Sequence, residues 1–164
     1  MIPSCMLRVL VMAALLGSLL GCHRPQVGPQ EGQNAPDFST TSIDGGQVRL
    51  KDYLGRPIVL VFWASWCGPC RVEAPQVERL AKSYGERVQV VGVNAGEEPS
   101  TAVRAARQLG MTWPIAMDSD GSIREAYAVG AIPMVLIIDK NGVVRHRNNG
   151  VPSDVHRLLD GLLG

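Results

Sequence analysis

Pro57-Ile58-Val59-Leu60-Val61-Phe62-Trp63-Ala64-Ser65-Trp66-Cys67-Gly68-Pro69-Cys70 is the stretch on which the reading of this chain turns. Its opening run, Pro57 to Trp63, is continuously apolar and rich in β-branched residues, the pattern of a strand covered on both faces. A helix is expected from Pro69 to Tyr84, because Val77, Leu80, Ala81 and Tyr84 recur at i, i+3, i+4 and i+7 and Gly85 stands where a C-terminal cap belongs. Strand, then C-x-x-C, then helix is the context that makes such a cysteine pair a redox site. Cys67 falls at the helix N-terminus, where unpaired N–H groups and the positive end of the dipole favour a thiolate, so its pKa is expected below the free value of about 8.5. Cys70 lies nearly one turn on, close enough to close a small disulfide ring, and Pro69 fits the first turn, where its missing N–H removes no helical bond.

Two plainer readings of the pair are weaker. Zinc takes four ligands, and no second C-x-x-C or neighbouring Cys/His pair exists; His146 and His156 stand alone, so no metal site is expected. A static disulfide across so short a loop removes little unfolded-state entropy.

Outward from this stretch, Phe38, Ile43, Asp44-Gly45-Gly46, Val48 and Leu50 read as a hairpin around a glycine turn. Downstream, Arg87–Val93 reads as a second buried strand, Pro99–Leu109 as an amphipathic helix ended by Gly110, Trp113–Met117 as a short extended segment and Ser122–Tyr127 as a short helix. Pro133–Asp139 and Val143–Asn148 flank Lys140-Asn141-Gly142, and Asn-Gly between apolar runs is a strong hairpin signal. A helix from Ser153 to Leu163 closes the chain. The order predicts an α/β fold: a central mixed sheet with helices on both faces and an N-terminal β-hairpin.

The composition agrees with one globular domain, since 46% of the 164 residues are hydrophobic and 19% charged. With a formal net charge of +1 and no long run of one sign, nothing asks for nucleic acid as a partner. The other two cysteines, Cys5 and Cys22, lie near the N-terminus, where Arg8 precedes an apolar run from Val9 to Leu20. That run reads as an export signal, being shorter than the roughly 20 residues a membrane-spanning helix needs. Leu19-Leu20-Gly21-Cys22 resembles the lipobox of bacterial lipoproteins, although Leu20 replaces the usual smaller residue. The resemblance implies residues 1–21 as signal peptide and lipidation at Cys22, which would hold the chain at a membrane surface. Residues 22–35, rich in Pro, Gly and Gln, then read as a flexible tether, with the folded domain over residues 36–164.

The stretch Phe62 to Cys70 resembles the active-site segment of the thioredoxin superfamily. Cys70-Arg71-Val72-Glu73-Ala74-Pro75, Val91-Gly92-Val93-Asn94, and Gly130-Ala131-Ile132-Pro133 followed by Val135 to Gly142 are similar to its membrane-tethered, extracytoplasmic TlpA/ResA-like members. The resemblance implies a thioredoxin-like fold and a thiol-disulfide oxidoreductase that needs no cofactor. Cys67 would attack a substrate disulfide and Cys70 resolve the mixed disulfide, with Trp66, Gly68 and Pro69 shaping the active-site loop. Ile132-Pro133 would form a cis-proline loop offering backbone to the substrate chain. The implied partners are exported proteins carrying disulfides, apocytochrome c foremost, and an integral-membrane electron donor, at a periplasmic location.

One departure from cytoplasmic thioredoxins matters: the buried aspartate six positions before the first cysteine is replaced here by Val61. Glu73 is the available carboxylate and the candidate proton acceptor for Cys70 or tuner of its pKa. Pro75 is expected to kink the helix, because it removes one i to i−4 hydrogen bond. Other activities fit less well. A disulfide oxidase or isomerase would reverse the electron flow, a copper carrier would use the two thiolates as soft ligands, and a peroxiredoxin would need Thr or Ser where Ala64 stands.

Overall fold

The computed structural model describes residues 26–164; the expected signal peptide and Cys22 lie outside the described residues. The first hairpin pairs β1 (Ser39–Thr41) with β2 (Gln47–Arg49), and a 3-10 turn follows at Leu50–Tyr53. Then come β3 (Ile58–Trp63), α1 (Gly68–Tyr84), β4 (Gln89–Asn94), α2 (Pro99–Gln108), β5 (Ile115–Met117), α3 (Ser122–Ala126), β6 (Met134–Ile138), β7 (Val144–Asn148) and α4 (Val155–Leu163). The helix expected over Pro69–Tyr84 begins one residue earlier and runs through Pro75, which cannot donate a backbone hydrogen bond.

The main sheet has the order β5-β4-β3-β6-β7. β3, β4 and β5 run parallel, while β6 and β7 are antiparallel to their neighbours, so the sheet is mixed. β3 is central and all six of its residues are buried, as its unbroken apolar run requires. Val59, Val61 and Trp63 face one core together with Val77 and Leu80 of α1, Ala105 and Ala106 of α2, and Val155 and Leu159 of α4. The alternate residues Ile58, Leu60 and Phe62 face a second core closed by Val48, Leu50, Ile123 and Tyr127. Helices therefore cover both faces unequally: three lie on one, and short α3 shares the other with the hairpin.

Both sheet edges are covered. Beside β5, Ile43 donates its N–H to Ile115 at 3.0 Å and Thr40 Oγ1 donates to the Met117 carbonyl at 2.8 Å. Beside β7, residues 26–35, the described part of the stretch read as a tether, run along the sheet edge. From Gln26 onward the backbone is hydrogen-bonded: Gly32 N–H donates to Val144 at 2.8 Å, Val144 N–H to Gln33 at 2.9 Å, and Ala35 N–H to Gly142 at 2.8 Å. An edge strand leaves a row of unpaired backbone groups, and this strap satisfies part of that row. Local composition carries no trace of such a long-range pairing. Tyr127 adds a further tie by donating its hydroxyl to the Pro36 carbonyl at 2.6 Å.

The turn between β6 and β7 hangs on Asp139. Its Oδ1 accepts the N–H groups of Asn141 and Val143, each at 2.9 Å, and its Oδ2 receives Arg145 Nε at 2.8 Å. Burial pushes the carboxyl pKa up, but the Val143 N–H, Arg145 and the Asn141 N–H outweigh it and leave the pKa below the ordinary 3.8. A group depressed in the folded state stabilises above its unfolded pKa and loses that contribution as pH falls through the folded value. Asp139→Asn is accordingly expected to lower stability at neutral pH and to flatten the acid limb of a urea-melt series below about pH 4.

Candidate active site

The redox loop is formed where β3 ends and α1 begins. Cys67 is the N-cap residue of α1, and Cys70 N–H points at Cys67 Sγ at 3.2 Å. Cys67 and Cys70 are joined by a disulfide, with 5.3 Å between their α-carbons. Each cysteine is only 4% exposed, whereas Trp66 immediately before them is 70% exposed. No acidic residue occupies the first turn of α1, where a negative side chain would offset the positive end of its dipole. Gly68 and Pro69 supply that first turn.

The Ile132–Pro133 peptide bond is cis. Pro133 shares a small cavity with Cys70, Glu73, Val61, Trp63 and Trp113, too confined for more than about one water molecule. Ile132 lies on the other side, in an open groove of about 330 Å³ with Trp66, Ala95, Arg124, Val129, Gly130 and Ala131. The disulfide is thus bordered by an internal cavity behind Cys70 and a surface groove beside Trp66. All the candidate residues of the domain are gathered here.

Glu73 sits on α1 within that cavity. Its Oε1 accepts the Val151 N–H at 3.2 Å, while its buried Oε2 has no hydrogen-bond partner. Gly150 makes room for it: a β-carbon there would lie 2.2 Å from Oε1, and the residue has φ +98°. Gly150→Ala is therefore expected to displace Glu73 and to cost about 1–3 kcal/mol of stability, read from a urea melt.

Two carboxylates that sequence reasoning did not single out support the site. Glu78, five residues beyond Glu73 and 7% exposed, accepts Thr112 N–H at 3.1 Å and Thr112 Oγ1–H at 2.9 Å, fixing the loop that brings Trp113 to the cavity. Glu97 bonds the backbone and hydroxyl of Ser65. Burial pushes the Glu97 pKa up, but hydrogen bonds from Ser65 and Asn94 prevail and hold it below the ordinary carboxylate value. Both partners come from distant segments, and no local spacing signals them.

A mixed sheet of this order, a C-x-x-C disulfide capping the helix after the central strand, and a cis-proline beside it define a thioredoxin-like thiol-disulfide oxidoreductase. The chain belongs to the Redoxin family, whose model matches residues 30–162. It is 37% identical over 134 residues to the thiol-disulfide oxidoreductase ResA of Geobacillus kaustophilus, covering 80% of this chain and 77% of the relative. It is 42% identical over 142 residues to the thioredoxin-like protein YneN of Bacillus subtilis, covering 84% and 83%. Among solved structures, one from Chlorobium tepidum assigned to thiol:disulfide interchange protein DsbE superposes with a TM-score of 0.75 at 34% identity, covering 82% of this chain and 99% of that one.

Proposed function

We propose that this thiol-disulfide oxidoreductase works as a reductant of disulfides in exported proteins, with Cys67 as the attacking thiol. The observation that carries the reading is the Cys67–Cys70 disulfide at the N-terminus of α1, bordered by the cis-proline segment. In the reduced protein the Cys67 thiolate attacks one sulfur of the client disulfide; that S–S bond breaks and a mixed disulfide forms. The Cys70 thiolate then attacks Cys67 Sγ, releasing the client's second thiolate and regenerating the Cys67–Cys70 disulfide. Two electrons pass to the client, which takes up two protons. A second thiol donor must then reduce the protein again, and the proposed donor is an integral-membrane thiol-disulfide partner.

Glu73 is the proposed acceptor of the Cys70 proton. It lies in the same cavity, and its unpartnered Oε2 is free to receive it. Glu73→Gln is expected to slow the resolving step about tenfold and to shift its pH dependence; unchanged turnover and unchanged cysteine titrations would remove Glu73 from the mechanism. Ile132 and Pro133 are proposed to receive client backbone, with Trp66, Gly68 and Pro69 forming the adjoining rim.

The location proposed is outside the cytoplasm, anchored to a membrane through lipid on Cys22, with apocytochrome c thiols as the leading client class. Support comes from the apolar leader and the Gly21-Cys22 pair. Among the described residues no helix is long and apolar enough to cross a membrane.

Equilibrating the full chain in thiol-disulfide buffers of known poise tests the direction. A potential near that of thioredoxin, about −270 mV, is expected, whereas one near about −120 mV would make the protein a disulfide donor.

A further inference from the structure

The loop leaving β4 reaches across to the loop leaving β3. Glu97 Oε2 accepts the Ser65 N–H at 2.7 Å and Asn94 Nδ2–H at 2.7 Å, and Glu97 Oε1 is bonded to Ser65 Oγ. Glu97 N–H in turn donates to Asn94 Oδ1 at 3.1 Å. Asn94 is fully buried and stands opposite Trp63 in the sheet register, while Ala95 N–H donates to the Trp63 carbonyl at 2.9 Å. The carboxylate therefore grips the adjoining ends of two central strands, and Ser65 lies two residues before Cys67.

Every partner of this carboxylate is neutral. Among the described residues, no Lys, Arg or His lies within ion-pair distance of Glu97, although five other acidic side chains have such partners. Hydrogen bonds from Ser65 and Asn94 stabilise the anion without cancelling its charge. Bonded two residues before a cysteine that must become a thiolate, such a charge opposes the second negative charge, as Glu73 beside Cys70 does. It acts against the helix dipole and the arginines that border the loop, Arg71 and Arg104 with Ser65 and Arg124 with Trp66. A less stable thiolate disfavours the reduced pair, the reverse of the strong oxidant DsbA, whose reduced form is stabilised.

We infer that Glu97 is a positioning residue that fixes the Ser65–Trp66 approach to the disulfide and, by a charge that no ion pair cancels, keeps Cys67 harder to ionise and the pair more strongly reducing. This rests on Cys67 being the attacking thiol. The charge falls on the same loop it anchors, so geometry and potential are set by one side chain.

The test compares wild type, Glu97→Gln and Glu97→Asp in the full chain. Three quantities are read: the pH dependence of Cys67 alkylation by iodoacetamide, the equilibrium with a glutathione redox buffer, and the thermal melt. Glu97→Gln is expected to lower the Cys67 pKa by about half to one unit and to move the equilibrium toward the dithiol by roughly three- to tenfold. Glu97→Asp keeps the charge and is expected to restore most of both shifts, even if its shorter side chain lowers the melting temperature. A Gln variant that melts lower yet keeps the wild-type alkylation profile and equilibrium would overturn the inference, as would an upward shift of the Cys67 pKa. Should Gln fail to fold, an Asp variant with an alkylation profile shifted as far as that of a folded Glu97→Ala protein would overturn it too. Failure of the underlying assignment looks different: wild type would then exchange with no disulfide at all, or Cys67→Ser would retain exchange.

Discussion

Replacing Cys70 with serine is expected to all but stop turnover and to leave a client chain covalently bonded to Cys67. The attack of Cys70 on the mixed disulfide is intramolecular, from a residue whose α-carbon lies 5.3 Å from that of Cys67. Well-oriented intramolecular reactions reach effective molarities of about 10⁵–10⁸ M, so an external thiol at millimolar concentration is a poor substitute. Turnover is expected to fall by on the order of 10³-fold or more. A non-reducing gel after incubation with a disulfide-bearing client should show an adduct that dithiothreitol releases. The companion Cys67→Ser protein should form none. An adduct on Cys67→Ser instead would reverse the assignment of the two cysteines.

Trp113→Ala is the second change with a large effect, and it acts on stability and site together. The indole is 8% exposed and lines the cavity shared by Cys70, Glu73 and Pro133. Its removal is expected to cost about 3–5 kcal/mol, because the lost burial is joined by a void that the surroundings fill only in part. For a domain of this size that corresponds to a melting temperature lower by roughly 10 °C or more. The void opens directly behind Cys70, where water would gain access to the resolving sulfur. The thermal melt reports the packing loss, and the alkylation rate of reduced Cys70 reports the added access. A melting temperature within about 2 °C of wild type would show that the loop held by Glu78 carries the packing without the indole.

How much of this was legible in advance follows from the range of each interaction. The run Ile58–Trp63 and the cysteine pair after it could be read because strand burial, helix start and redox chemistry are written in consecutive residues. The short elements were also visible through their turn residues, notably Lys140-Asn141-Gly142 between β6 and β7. Glu97 and Glu78 were not, since what distinguishes each is a partner far along the chain: Ser65 for one, Thr112 for the other. A glutamate in a polar loop and a glutamate on a helix look alike until the fold brings a donor to them. The hydrogen bonds of residues 26–35 were illegible for the same reason in reverse. Their Pro- and Gly-rich composition is that of free chain, yet the exposed edge of β7 supplies hydrogen-bond partners that no local pattern announces.

The strap beside β7 also gives the molecule a front and a back. It meets the sheet at Gly142–Val144, beside the β6–β7 turn, to which β6 runs from the cis-proline, with Met134 opposite Phe62 and Ile138 opposite Ile58. The strap and the disulfide consequently occupy opposite poles, separated by the length of β3, roughly 17 Å of strand rise. A hold on the chain before Gln26, such as the lipid proposed at Cys22, would pull on the pole away from the chemistry. The reactive end would then be the lamp at the head of a post, where a passing protein could meet it.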